Sequence, residues 1–86
     1  MAQRNMYRVN AFDANGAHIY GESVTRAAQA RKMARDFLRH VNVFTVDVTN
    51  ESATTVSGYI VERYIKLTPA TGVVVNGNGE SRNIRF

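Results

Sequence analysis

Only one stretch of this chain carries the 3.6-residue apolar period of a helix, and it sits between stretches with the two-residue alternation of strands. Between about Arg26 and Val41, the residues Ala27, Ala30, Met33, Ala34, Phe37, Leu38 and Val41 share an arc of roughly 140°, the width of a helix laid on a sheet. The segment is rich in Ala, Gln, Arg, Lys, Met and Leu, which lose little freedom in a helix. Thr25 stands where its hydroxyl would cap the first turn, and Asn42 with the β-branched run after it marks the end.

With one helix available, the rest of the chain must build a sheet. Met6 to Phe12 alternates, with Tyr7, Val9 and Ala11 on one side. Asp13-Ala14-Asn15-Gly16 reads as a turn, the Asn-Gly pair favouring type I′, and Ala17 to Glu22 returns antiparallel. Val43 to Thr49 alternates again, with Phe44, Val46 and Val48 together. Asn50 to Thr54 is a polar turn, and Thr55 to Thr68 is a long strand. Pro69 to Gly72 ends it, Val73 to Val75 makes a short strand, and Asn76-Gly77-Asn78-Gly79 is a turn. Glu80 to Phe86 is either an edge strand or mobile, and residues 1–5 and about 77–86 are candidates for loose termini. The expected fold is α+β, one domain over residues 1–86. It has a single antiparallel sheet of four to five strands, one amphipathic helix on one face, and the order β-β-α-β-β-β.

One helix covers one face of such a sheet. The long strand nevertheless carries large residues on both sides: Tyr59, Val61, Ile65 and Leu67 at odd positions, and Val56, Ile60 and Tyr64 at even ones. A face formed by Val56, Ile60 and Tyr64 would then be closed by a second copy or a partner. In the opposing reading the terminal segment, Glu62, Arg63 and Lys66 screen it.

Composition narrows the class of partner. The chain has 86 residues, a net charge of +4 and no cysteine. Disulfides and thiolate metal sites are therefore excluded, and a reducing compartment is permitted. No apolar run approaches the ~18 residues of a membrane span, so the expected protein is soluble and cytosolic. Of the eleven basic residues nine are Arg, whose planar fork suits phosphate and carboxylate. Arg31, Arg35 and Arg39 recur every four residues with Lys32 beside them, so one face of the helix is basic. Like charges at this spacing cost roughly 0.2–0.5 kcal/mol per pair, and Asp36 is the helix's only acid. The functional reading is a row that engages an acidic protein or nucleoprotein, or nucleic-acid phosphates directly. The plain reading is a solvated face whose cations complement the helix dipole.

Other chemistry is thinly represented. His18 and His40 have no carboxylate or second histidine at ligand spacing, so no metal is expected. Ser23, Ser52, Ser57 and Ser81 lie in no nucleophile context, and Asp13, Glu22, Asp47 and Glu62 form no evident acid/base pair. Gly77-Asn78-Gly79 lacks the Lys and the following helix of a phosphate loop. Ser57 to Tyr64 matches the RNA-recognition pattern only at Gly58, Tyr59 and Tyr64. The aromatic residues are better explained by cross-strand packing. No catalytic residue and no cofactor are expected; the chain reads as a binding protein, with a structural homo-oligomer as a further alternative.

At Tyr7 to Phe12, Asn15-Gly16, and Thr25 through Ala30 to Arg35, the chain resembles small phage-encoded accessory proteins. These begin with a hairpin, continue into a Thr-capped Ala/Arg helix and finish with strands. The resemblance covers roughly residues 6 to 66 in pattern. It implies a compact protein in the host cytoplasm that binds and modulates a host machine, anti-defence inhibitors included. It transfers no functional residue.

Overall fold

The computed structural model describes residues 6–51 and 59–86. Strands β1 (Tyr7–Phe12) and β2 (His18–Val24) precede helix α1 (Ala27–Leu38). They are followed by β3 (Thr45–Asn50), β4 (Tyr59–Thr68), β5 (Thr71–Asn76) and β6 (Ser81–Arg85). All six strands join one antiparallel sheet in the order β2-β1-β3-β4-β5-β6. The α+β class is as expected. The sheet is wider than four to five strands because Thr71–Asn76 and Ser81–Arg85 both pair, the second as an edge.

The turns explain how the two ends of the sheet are closed. Asp13 Oδ1 accepts from the amides of Asn15 at 2.9 Å and Ala17 at 2.8 Å, and Gly16 takes φ +83°. Asn76 Oδ1 does the same for Asn78 at 2.9 Å and Glu80 at 3.0 Å, with Gly79 at φ +84°. Both connections use a side-chain acceptor at the first position and one left-handed glycine at the fourth. The first is therefore not type I′, which needs positive φ at both central residues, and no described non-glycine residue has it.

The helix is shorter at both ends than the periodic pattern. Its first backbone bond runs from Ala30 N to Arg26 O at 3.0 Å, so Arg26, not Thr25, is the N-cap, and no side chain caps it. At the other end Arg39 and His40 donate to Asp36 and Phe37 carbonyls, and Val43 N closes a turn onto His40 O at 3.1 Å. That turn swings Val43 into the core and leaves Val41 84% exposed, outside the buried stripe it was expected to extend. The strand after it accordingly starts at Thr45, and Phe44 is on the surface.

Ala30, Ala34 and Leu38 are fully buried against Val9, Ala11, Val46 and Val48, with Met33 and Phe37 at the margin. The alanines allow close approach of helix to sheet. Six strands at about 4.8 Å span roughly 24 Å, whereas a helix is about 10 Å across. Helix α1 accordingly lies over β1 and β3, reaches β4 and β2, and does not reach β5 or β6. Pairing continues one buried row from Ala11 through Val46 and Tyr64 to Val74, and Phe86 packs on the same core.

A register shift between Val48 and Thr49 pairs Val48 with Glu62 but Thr49 with Ile60. Glu62, Tyr64 and Lys66 therefore share the helix-side row, while Arg63 and Ile65 pair with Asp47 and Thr45 on the other side. On that side Asp47 and Arg63 form a two-pronged ion pair at 2.8 and 3.2 Å amid half-buried Thr45, Ile65 and Val73.

Candidate interaction surface

The proposed sheet-face set does not come together. Tyr64 is 1% exposed in the core, Ile60 is displaced to the Thr49 row by the register shift, and Val56 lies outside the described residues.

The basic row of α1 is present but its members differ. Arg31 turns toward the sheet, where Nε meets Glu62 Oε1 at 3.1 Å. Glu62 is only 4% exposed and also accepts from the Tyr64 hydroxyl at 2.9 Å, while Arg82 from β6 stands 3.5 Å from its second oxygen. This carboxylate ties helix, central strand and terminal strand together. The Tyr64 hydroxyl is pushed well above its ordinary pKa, first by burial and then by its hydrogen bond to Glu62; the charges of Arg31 and Arg35 oppose the shift.

Arg39 pairs with Asp36 at 3.4 Å, an exposed contact worth about 0–1 kcal/mol. Lys32 and Arg35 form no ion pair among the described residues and stay in solvent. Arg31, Lys32, Arg35 and Arg39 stand around Ala28 and Asp36, leaving a shallow depression of about 390 Å³ on the helix surface.

Arg39 also borders a second depression, of about 320 Å³, shared with Val41, Phe44, Lys66, Leu67, Thr68 and Pro69. Its walls hold three of the large apolar residues left in solvent: Val41 at 84%, Leu67 at 63% and Phe44 at 42% exposure. They come from two parts of the chain: Val41 in the turn after α1 with Phe44 just beyond it, and Leu67 near the end of β4. Lys66 Nζ donates to His40 O at 2.7 Å and lies 5.7 Å from the Phe44 ring, and partial burial lowers its pKa. The sequence offered a faint signal for this patch. Val41 extends the helical stripe past the residue where the backbone leaves the helix, and Leu67 sits beside a proline turn.

Several of the remaining candidates have structural partners. His18 bonds Asn10 at 3.0 Å and meets Phe12 edge-on; His40 lies against Tyr20, which stacks on Phe37. Asp13 builds its turn, Asp47 holds Arg63, and the Ser23 hydroxyl accepts from Arg8 at 3.4 Å. Ser52 and Ser57 lie outside the described residues. Among the described residues no group of three His, Asp or Glu side chains is placed to hold a metal. No helix among them is long and apolar enough to cross a membrane.

The chain matches no family model, no curated protein and no solved structure.

Proposed function

We propose that this chain is a non-enzymatic interaction protein that engages an acidic partner through the exposed basic strip of α1, with Lys32 and Arg35 as its principal contacts and Arg39 at its end. The observation that supports this reading is the asymmetry of the row. Arg31 is committed to buried Glu62 and Arg39 to a weak surface pair, while Lys32 and Arg35 form no ion pair among the described residues. Two such neighbouring cations on a rigid helix lower the cost of orienting a carboxylate-rich surface.

The test is fluorescence anisotropy of labelled polyglutamate, duplex DNA, single-stranded DNA and RNA at low salt. It compares the wild-type chain with a Lys32→Gln/Arg35→Gln variant. Saturable binding of polyglutamate that the double substitution abolishes is expected. Tighter binding of a nucleic acid, with log affinity falling steeply against log salt as counterions are released, would transfer the same residues to phosphate recognition. Unchanged binding in the variant would remove the strip as the site.

A further inference from the structure

We infer that the depression bounded by Val41, Phe44 and Leu67 receives one aliphatic or aromatic side chain from an acidic protein segment whose carboxylates lie along α1. This rests on the acidic-partner reading above and adds the anchor that reading lacks.

Three observations carry it. First, three large apolar side chains from two separate parts of the chain converge in solvent around a single hollow of about 320 Å³. Such convergence exposes apolar surface that association would remove from water. Second, two cations line the hollow, Arg39 and Lys66, with Lys66 fixed by its bond to His40 O. An apolar side chain flanked by carboxylates complements both the apolar and the cationic lining. Third, Arg39 lines both depressions, so the hollow adjoins the Lys32 and Arg35 strip. A segment lying along the helix arrives at the hollow at its C-terminal end.

Charge also decides among occupants. A second copy docking isologously would set this cation-lined patch against the same patch of its partner, in a chain whose net charge is +4. A phosphate backbone satisfies the cations but leaves Val41 and Leu67 facing a charged, hydrated strand. An acidic polypeptide with an apolar residue satisfies all three features.

The experiment uses fluorescein-labelled acidic peptides that differ at one central position, leucine, phenylalanine or alanine, titrated into the full chain. The leucine and phenylalanine peptides are expected to bind about tenfold or more tightly than the alanine peptide, the effect of burying one such side chain. Val41→Asp and Leu67→Asp change exposed positions, so circular dichroism should remain that of the wild type while the preference for leucine disappears. Lys32→Gln/Arg35→Gln should weaken all three peptides alike and leave the preference intact. Equal affinity for the leucine and alanine peptides overturns the anchor while leaving the basic strip in place. Absence of binding by any acidic peptide overturns both. Self-association in sedimentation that Leu67→Asp abolishes, or single-stranded DNA binding that Phe44→Ala abolishes, assigns the hollow to another occupant and overturns the inference.

Discussion

Glu62 offers the sharpest quantitative test of how this fold is held together, because one buried carboxylate meets three partners whose surroundings differ. Arg31 and Arg82 are about half exposed, so each of their pairs behaves as a surface contact and contributes about 0–1 kcal/mol. The Tyr64 hydroxyl is buried, and a buried hydroxyl left without an acceptor costs about 1–3 kcal/mol. Glu62→Gln retains an oxygen for Tyr64 and loses only the charge, so about 1 kcal/mol of stability should be lost. Glu62→Leu removes the acceptor as well, and the loss should reach about 2–4 kcal/mol. The orphaned hydroxyl can itself be deleted. Glu62→Leu combined with Tyr64→Phe should therefore cost less than the sum of the single changes, by about 1–3 kcal/mol. Urea unfolding followed by circular dichroism measures each value. Glu62→Leu should move the midpoint by on the order of 2 M with the slope unchanged. Equal losses for Gln and Leu, or strict additivity in the double substitution, would show that the ion pairs and not the tyrosine dominate, and the reasoning would fail.

The same cluster sets a response to alkali. Tyr64 holds its proton in the folded state above the pKa of about 10 that it has when unfolded. Stability should therefore be full below pH ~10 and fall above it by about 1.4 kcal/mol per unit as the unfolded state alone ionises. Burial lowers the Lys66 pKa and acts with the opposite sign, so the difference between wild type and Tyr64→Phe isolates the tyrosine. A slope that survives Tyr64→Phe refutes the assignment. Gly72 faces a steric limit: a Cβ there would stand 2.5 Å from the Ile65 carbonyl oxygen and 3.0 Å from the Phe86 ring. Gly72→Ala should cost about 1–3 kcal/mol by forcing β4 and β5 apart, and thermal melting of that variant at wild-type stability would contradict the close approach.

Much of the fold is local in origin and so could be read along the chain. The Ala30, Ala34 and Leu38 stripe of α1, the alternation of Val9 with Ala11 and of Val46 with Val48, and the position of both turns follow from residue spacing alone. What escaped depends on backbone decisions that side-chain spacing does not encode. Val41 keeps the helical period, yet the bond from Val43 N to His40 O ends the pattern early and exchanges which valine is buried. Asn15 and Gly16 mark a turn, but Asp13 captures two amides and removes the need for Asn15 to take a positive φ. Even spacing puts Ile60 and Tyr64 on one face of a regular strand; the register shift opposite Thr49 separates them. The apolar hollow was barely signalled for a related reason, since Val41 and Leu67 are far apart in sequence and meet only when β4 pairs beside the turn that follows α1.

The basic row shows the same distinction inside the proposed site. Four-residue spacing makes Arg31, Arg35 and Arg39 equivalent on a helical projection, yet a partner 31 positions away draws Arg31 out of that equivalence. A neutral residue at 31 would take one donor from buried Glu62 and loosen the link between α1 and β4, so it would alter stability before it altered recognition. Replacing all three arginines together would therefore confound a folding defect with a binding defect. Lys32 and Arg35, which are exposed and form no ion pair among the described residues, can be neutralised at little structural cost, within about 0.5 kcal/mol for exposed positions. Binding lost in that pair while stability holds would belong to the surface; binding lost only when Arg31 is also changed would belong to the fold.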